Sequence, residues 1–370
     1  MESPAWAVVD LAAVRHNVAL LREEAAGVLL MAVVKADAYG HGMIPCAVAA
    51  LAAGADWLGV VQVAEALRLR SAGIGAPVLC MMSIPGEPYQ EAIKAGVDVS
   101  AGSTAAVAEI AKAAASAGQP ARLHLKADTG LSRGGATASE WPAVVAAAMA
   151  AQAAGHLQVI GLWSHLACAD LPGHPSVGHQ LDAFAWALES AEKAGVRPEV
   201  RHIANTAAAL TLPAARFDLV RPGGAVYGLS TLPGGAPAGF RPAMTLRSRL
   251  AQVKRVAAGT GVSYGYRHVT ATEATLGLVP LGYADGVPRT AAGRALVQAR
   301  GRRWPVAGTV CMDQFVIDFG PQPAAAGDEV ILFGPGDDGE PTAQEWADTL
   351  GTISYEIVTA IGNRVVRVYS

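Results

Sequence analysis

A lysine ends an apolar run in the segment AVVKADAYGHG, which covers residues 32–42. An amine at the end of a buried strand loses proton affinity through desolvation, and in its neutral form it is a nucleophile for a carbonyl carbon. The alternative for Lys35 is a structural role, in which the side chain extends its charge into solvent from the strand end. Polar residues at the ends of other predicted strands help to distinguish these two interpretations.

A second group of residues is suited to binding phosphate. Asn205 and Thr206 follow one predicted strand, and Arg221, Gly223 and Gly224 follow the next. A hydroxyl and a glycine pair after the last two strands of a (β/α)8 barrel form its usual phosphate-binding corner. An amine together with such a corner indicates a phosphorylated aldehyde, namely pyridoxal 5'-phosphate held as a Schiff base.

The elements that must position these residues are eight short apolar segments, each ended by a polar or glycine break. Alanine-rich stretches with helical spacing lie between most of them, at residues 45–53, 64–72, 104–118, 141–154 and 180–195. Eight alternations over about 200 residues predict an α/β protein with an N-terminal (β/α)8 TIM-type barrel. An open doubly wound sheet is the alternative, although no GxGxxG motif follows a strand. The eight segments are GVLLMAVVK, ADWLGVV, APVLCMMS, GVDVSAGS, ARLHLKADTG, LQVIGLWSH, VRHIAN and FDLVRPGG.

In such a barrel the chemistry lies at the carboxyl ends of the strands. Lys35 follows the first predicted strand, Arg133 the fifth and His165 the sixth. These residues therefore join the predicted phosphate corner on one rim.

The chain changes character after a glycine- and proline-rich stretch at residues 232–242, which we interpret as a linker. Alternating apolar runs joined by turns follow it and predict a C-terminal, mostly antiparallel β domain. We therefore expect a barrel domain at residues 1–235 and a β domain at 236–370. Thr342 with Glu345 three residues later is a capping-box pattern for a short helix, and a second helix is predicted at residues 354–361.

Composition excludes several classes of function. Charged residues make up 16% of the 370 positions and the net charge is -3, which disfavours nucleic acid and membrane surfaces as partners. We expect no signal peptide, no membrane span and a cytoplasmic location. The four cysteines are widely spaced without a CxxC pair, so we expect free thiols and no metal site.

The motifs together resemble those of the alanine racemases, which are pyridoxal-phosphate enzymes with an N-terminal barrel and a C-terminal β domain. The resemblance extends along nearly the whole chain, and AVVKADAYGHG is similar to the highly specific cofactor-lysine signature of the family. It implies that Lys35 carries the cofactor and that Tyr39 contacts the cofactor phosphate.

The resemblance assigns further barrel residues. In KADTGLSRGG, Arg133 would touch the cofactor phenolate and the substrate carboxylate, and Lys126 matches a lysine that some members carbamylate to support that arginine. In WSHLACAD, His165 would lie near the cofactor ring and Asp170 near the substrate entrance.

The phosphate and the far side of the ring are assigned in the same way. Thr206, beside Asn205, stands where many members have serine, and Arg221 in LVRPGGAVYGL would face the pyridine nitrogen, with Gly223 and Gly224 at the phosphate.

The β domain resembles the family in three further motifs. Tyr264 in GVSYG would be the second catalytic base, Tyr283 and Met312 would lie at the substrate end, and Tyr355 would hydrogen-bond the phosphate.

Racemisation itself requires two acid-base groups, because the Cα proton leaves from one face and returns on the other. Lys35 would serve one face and the phenol of Tyr264 the other; the family assigns Lys35 to the D-isomer proton and Tyr264 to the L-isomer proton. Arg221 can only donate to an unprotonated ring nitrogen, which makes the cofactor a weaker electron sink and favours a racemase over a decarboxylase.

The resemblance also implies a head-to-tail homodimer in which Tyr264 and Met312 complete the site of the partner. It further implies that the enzyme supplies D-alanine for peptidoglycan.

Two enzymatic alternatives stay open. One is a racemase with a broader range of amino acids, and the other is a decarboxylase of basic amino acids. The decarboxylase type normally has an acidic residue at the pyridine nitrogen and a Cys-Asp pair, where this chain has Arg221 and CMD. A non-catalytic pyridoxal-phosphate carrier would be a smaller, single barrel.

Overall fold

The first strand of the chain, β1 (Ala5–Val9), pairs with two strands from the second half of the sequence. It belongs to the second sheet of the computed structural model, which describes residues 4–235 and 237–370. Ala236, with which the predicted second domain begins, lies outside the described residues. The chain enters the barrel through the helix Leu11–Glu24, whose first turn is capped by the carboxylate of Asp10.

Eight parallel strands build the barrel, and their apolar residues are buried on both faces, as in parallel sheets covered by helices. Seven of them pair in sequence order, and the eighth pairs with the first. Backbone amides of Asp218 and Arg221 donate to the carbonyls of Arg201 and Ala204 at 3.1 and 3.0 Å, which nearly closes the ring. The strands are β2 (Leu29–Val33), β3 (Trp57–Val60), β4 (Val78–Cys80), β5 (Asp98–Ala101), β6 (Ala121–Lys126), β7 (Leu157–Trp163), β8 (Val200–His202) and β9 (Leu219–Val220). The predicted barrel is confirmed, and the doubly wound alternative is wrong.

Helices cover the outside of the barrel, and local signals in the sequence set their ends. Ser103 caps the helix that follows β5 with its hydroxyl, and Gly118 ends the same helix in the left-handed conformation. Besides Leu11–Glu24, the helices around the barrel are Met43–Ala52, Val63–Ser71, Tyr89–Lys94, Thr104–Ala117, Trp141–Ala153, Ser176–Lys193 and Thr206–Thr211.

The second half of the chain forms a sheet of nine strands that includes β1. The new strands are β10 (Met244–Arg249), β11 (Gln252–Val256), β12 (Gly261–Val262), β13 (His268–Val269), β14 (Ala274–Val279), β15 (Leu296–Ala299), β16 (Arg302–Ala307), β17 (Phe315–Asp318), β18 (Glu329–Phe333) and β19 (Val366–Tyr369). The order across the sheet is β11-β14-β17-β16-β15-β18-β10-β1-β19, and β12 with β13 forms a separate ribbon. All pairs in the large sheet are antiparallel except β1 with β19. The predicted mostly antiparallel β domain is confirmed.

Two helices connect the second sheet to the barrel rim. Ala343–Leu350 begins at the predicted capping box, in which Thr342 and Glu345 exchange hydrogen bonds. Ser354–Thr359 follows it and carries Tyr355. One continuous cluster of buried apolar residues includes Val34 of the barrel and Val358 of this helix, so the rim and the second domain pack without a break. Short 3₁₀ helices occupy Pro213–Ala215, Gly224–Tyr227, Tyr264–Tyr266, Tyr283–Asp285 and Arg289–Ala291. Across residues 4–235 and 237–370, no helix has the length and apolar character needed to cross a membrane.

Candidate active site

The carboxyl ends of the barrel strands open into a cavity of about 690 Å³. Both halves of the chain line it, because the helix Ser354–Thr359 closes one side. Ten predicted site residues contribute to its wall: Lys35, Tyr39, Lys126, Arg133, His165, Asn205, Thr206, Arg221, Gly223 and Tyr355.

Lys35 begins a turn of unusual handedness. The next four residues, Ala36–Tyr39, all have positive φ angles between 52° and 56°. Each non-glycine residue in this region costs about 1–2 kcal/mol, so the surroundings must stabilise the turn. The amide of Ala36 donates to Oε1 of Glu65 at 2.7 Å, and His41 Nδ1 lies 3.0 Å from the carbonyl oxygens of Ala38 and Tyr39. The turn brings the Lys35 amine and the Tyr39 phenol into one cavity.

The environment of Lys35 favours a neutral amine. Burial lowers the pKa of Lys35, the positive charge of Arg133 lowers it further, and Glu65 opposes both. The same effects act on Lys126, whose pKa falls to about 8 through burial and then through Arg133 and Arg221. The ammonium of Lys126 lies 4.4 Å from the centre of the Trp163 ring.

A cradle of backbone and hydroxyl groups forms at the glycine pair. The amide of Gly223 donates to Oγ1 of Thr206 at 2.9 Å. A Cβ added to Gly223 would overlap the phenol oxygen of Tyr39, and one added to Gly224 would overlap that of Tyr355. Glycine at these two positions lets both phenols approach the backbone, and a larger residue would have to displace them. The rings of Tyr39 and Tyr355 meet edge to face with centres 5.4 Å apart.

The charge state of the cradle follows from burial. Burial raises the pKa of Tyr355 to about 12, against the effect of hydrogen bonds with Thr206 and Thr231, and it raises the pKa of Tyr39 further still. Both phenols are thus neutral hydrogen-bond donors at neutral pH. Asn205, which lines the cavity, caps the adjoining helix through its side-chain oxygen, which accepts from the amide of Ala208 at 3.1 Å.

Arg221 lies at the base of the cavity and is only 3% exposed. Its Nη1 donates to Nδ1 of His202 at 2.9 Å, and its Nη2 donates to the carbonyl of Ser164 at 2.8 Å and lies 3.2 Å from Nδ1 of His165. Burial lowers the pKa of Arg221 to about 9, which still leaves it charged at neutral pH. Burial and this guanidinium together hold the pKa of His165 and His202 well below its usual value, so both imidazoles are neutral.

Three residues behind Arg221 were not predicted from the sequence. His202 Nε2 lies 3.0 Å from Nδ1 of His124, whose Nε2 faces Oδ2 of Asp98 at 3.6 Å. All three side chains are buried. The available signal was strand alternation: His124 and Lys126 occupy every second position of β6 and therefore point to the same side of the strand.

Five predicted residues do not line the cavity. Asp170 is half-buried outside the cavity wall, and its charge helps to raise the pKa of Tyr355. Gly224 is buried beneath Tyr355. The other three lie on the surface of the β domain: Tyr264 is 73% exposed, Met312 54% and Tyr283 44%. Tyr264 begins the 3₁₀ helix Tyr264–Tyr266, and its backbone carbonyl accepts from the hydroxyl of Thr309 at 2.8 Å.

The lining fits an anionic, phosphate-bearing aldehyde. Four lysine and arginine side chains reach the cavity, and among the described residues no carboxylate lines it. The cradle offers hydroxyl groups and a glycine backbone at one end, and the amine of Lys35 is available for a covalent bond to a carbonyl carbon. The residues present therefore match pyridoxal 5'-phosphate in charge and in chemistry.

Comparison with known proteins gives one family. The models described as "Alanine racemase, N-terminal domain" and "Alanine racemase, C-terminal domain" match residues 9–231 and 243–369. The alanine racemase of Thermobifida fusca is 60% identical over 370 residues, which cover 100% of this chain and 99% of that protein.

Solved structures agree with this result. The alanine racemase from D-cycloserine-producing Streptomyces lavendulae superposes with a TM-score of 0.98 at 55% identity, covering 100% of this chain and 98% of that one. The alanine racemase of Bartonella henselae with covalently bound pyridoxal phosphate has a TM-score of 0.89 at 26% identity and covers both chains completely. Because the family models and the full-length relatives agree, the chain belongs to the alanine racemase family, whose members are isomerases that interconvert L-alanine and D-alanine.

Proposed function

We propose that this isomerase (EC 5.1.1.1) carries pyridoxal 5'-phosphate on Lys35 while it interconverts the enantiomers of alanine. The observation that supports this most directly is the shared cavity, whose wall holds an amine of lowered pKa together with Gly223 and the hydroxyl groups of Tyr39, Thr206 and Tyr355. The comparisons favour neither a decarboxylase nor a racemase of broader range.

The residues divide between the two ends of the cofactor. Tyr39, Thr206, Tyr355 and the backbone at the glycine pair would hold the phosphate, because they supply neutral donors without a competing carboxylate. Arg221 would donate to the pyridine nitrogen. When bound, the cofactor supplies a conjugated ring that withdraws electrons and so acidifies the Cα–H bond of the amino acid.

Proton transfer then depends on the two bases of the chain. Lys35 is suited to take or return a proton at Cα because burial lowers the pKa of its amine toward the working pH. Arg133, at the exposed side of the cavity, would orient the substrate carboxylate by a bidentate contact. The phenol of Tyr264 would act on the opposite face.

Tyr264 can do so only from a second copy of the chain. In a single copy it is absent from the cavity wall, and Tyr264, Tyr283 and Met312 are all largely exposed. We therefore propose a homodimer in which these three side chains complete the cavity of the partner. Tyr266, which is 71% exposed beside Tyr264, would be covered by the same contact.

We also infer that the D-alanine produced supplies peptidoglycan synthesis. A bacterial strain that lacks its own alanine racemase should grow without added D-alanine when it expresses this chain, but not when it expresses the Lys35→Ala variant.

We retain the boundary between residues 235 and 236 as a proposal. The gap between the two family matches, from residue 231 to residue 243, supports it.

An absorbance spectrum before and after borohydride reduction tests the cofactor assignment. The protein saturated with pyridoxal 5'-phosphate should show an imine band that reduction removes, and peptide mass analysis should then find the added group on Lys35. A label on Lys126 instead would contradict the proposal, since that lysine shares the cavity and has a pKa of about 8. Circular dichroism should show L-alanine losing its optical activity only with the protein that carries the band.

A further inference from the structure

The last strand of the chain contacts the turn that carries Lys35 and Tyr39. Side chains alternate along β19, so Val366 and Val368 point outward and are 50% and 46% exposed, while Arg367 and Tyr369 point to the other side. The Nε of Arg367 donates to the carbonyl oxygen of Gly40 at 2.9 Å. Gly40 directly follows the left-handed residues Ala36–Tyr39.

Arg367 is bound to backbone rather than to an acid. Its Nη1 donates to the carbonyls of Gly362 and Val365 at 2.6 and 2.8 Å, and its Nη2 donates to the carbonyl of Ile361 at 2.5 Å. With the bond to Gly40, the guanidinium joins four carbonyl oxygens from two distant parts of the chain. We call this set of hydrogen bonds the fork of Arg367. The planar guanidinium fixes both the position and the direction of the bonded carbonyl groups, which a single ammonium group cannot do.

The glycines that follow the left-handed residues are needed for the same contact. Gly40 has a φ of 81°, and a Cβ there would come within 2.6 Å of the carbonyl oxygen of Val358. Gly42 has a φ of 96°, and a Cβ there would overlap the hydroxyl of Tyr369. The C-terminal segment therefore packs directly against the backbone of the turn.

From these contacts we propose that Arg367 is a positioning residue for the cofactor site, because it holds the left-handed turn in place from the second domain. Without the fork, the carbonyl of Gly40 loses its partner, and the turn relaxes toward conformations that L-residues prefer. The Lys35 amine and the Tyr39 phenol then no longer keep their relative positions. The inference rests on the proposed function, in which Lys35 carries the cofactor.

Two variants and one control test the role of Arg367. Arg367→Gln removes the charge and the fork, and Arg367→Lys keeps the charge but not the fork. Arg255→Gln is the matched control, since Arg255 also lies in the second domain, pairs with an exposed acid, Glu273, and does not reach the cavity. The measurements are the cofactor dissociation constant of the stripped protein, the visible circular dichroism of the bound cofactor, kcat and KM, and the melting temperature without cofactor.

Arg367→Gln should weaken cofactor binding by about tenfold or more, since it removes a charge-assisted hydrogen bond from the turn. It should also reduce the visible circular dichroism. Arg367→Lys should show the same changes to a smaller extent, and Arg255→Gln should match the wild type. If Arg367→Gln does not fold, the visible circular dichroism of the cofactor bound to Arg367→Lys tests the positioning role instead.

Wild-type affinity and wild-type dichroism in a folded Arg367 variant would overturn the positioning role. A lowered melting temperature with both cofactor readouts unchanged would do so as well, because it would reveal a purely structural residue. A wild-type protein without an imine band would instead refute the proposed function, so the two failures are distinguishable.

Discussion

The guanidinium of Arg221 fixes the tautomers of the histidines behind it. Because arginine can only donate, Nδ1 of His202 must accept, and its proton is on Nε2. That proton is donated to Nδ1 of His124, which leaves the proton of His124 on Nε2, toward Asp98. A single donor-only side chain thus sets the tautomers of both imidazoles, and protonation of His202 would break this row of hydrogen bonds.

This arrangement predicts how stability depends on pH. Burial lowers the pKa of His41 to about 4 and that of His202 well below its usual value of 6.5. In the unfolded chain both histidines bind a proton below about pH 6.5, whereas in the folded chain they do not, so the free energy of unfolding must fall as the pH drops through this range. The acids whose pKa is lowered start from 3.8, as Asp98 does, or from 4.5, as Glu345 does, so they add to this fall only near and below pH 5.

The free energy of unfolding should therefore decrease between pH 6.5 and pH 4, by up to about 1.4 kcal/mol per pH unit for each histidine. Denaturant titrations at several pH values measure it. His41→Phe should lower the free energy of unfolding at pH 7.5, because it removes the hydrogen bonds of His41, and it should also make that free energy depend less steeply on pH. The control is His179→Gln, at an exposed position, for which the pH dependence should match that of the wild type. An equal slope in wild type and His41→Phe would contradict the role of His41.

Tyr264→Phe is the substitution that separates the two bases. It removes one hydroxyl from a side chain that is 73% exposed in a single copy, so folding and cofactor absorbance should remain as in the wild type. Exchange of the α-proton of L-alanine into heavy water should fall by at least about 100-fold, the usual contribution of a general base. Nuclear magnetic resonance of alanine in heavy water follows it. Undiminished exchange from L-alanine would remove Tyr264 from the mechanism.

At the scale of elements, the turn after β2 and the loop after β9 meet across the cavity. Gly223 has no side chain because the phenol of Tyr39 occupies that space. Gly223→Ala should displace Tyr39 and weaken cofactor binding by about tenfold or more, as expected when a donor is lost from a charged group. Titration of the stripped protein with pyridoxal 5'-phosphate measures this loss.

Gly178 provides the control for that substitution. It lies in the helix Ser176–Lys193 with no atom near the position of an added Cβ. Gly178→Ala should leave cofactor affinity unchanged and raise stability by about 0.5–1 kcal/mol, because alanine restricts the unfolded chain. If both alanine variants bind the cofactor equally well, the close approach of Tyr39 has no functional role.

The sequence predicted these elements unevenly, for physical reasons. The barrel strands are short apolar runs with clear breaks, and the capping box at Thr342 is a local signal, so both were predicted. β1 and β19 were not, because they pair with each other from opposite ends of the chain and β1 pairs on its other side with the distant β10. The left-handed turn at Ala36–Tyr39 was also missed, since four residues without glycine give no local sign of positive φ angles. His124 lies within β6 rather than at its end, where polar residues were sought. His202 ends β8, but Asn205 and Thr206 were predicted as the polar residues that follow this strand.

At the scale of the whole molecule, the two domains share the cavity but leave it incomplete. β1 and β19 tie the ends of the chain into one sheet, and the helix Ser354–Thr359 brings Tyr355 to the barrel rim. The surface with Tyr264, Tyr283 and Met312 stays exposed. A second copy that covers this surface would supply each cavity with its missing base.

Mixing two inactive variants tests this arrangement. Dimers of Lys35→Ala alone and of Tyr264→Phe alone should lack activity, because every site misses one base. A mixed dimer with shared sites has one site that lacks both residues and one in which both are intact. Random exchange makes half of the dimers mixed, so about a quarter of wild-type activity should return. If mixed dimers isolated with two affinity tags stay inactive, Tyr264 does not act across the interface, and each chain must complete its own site.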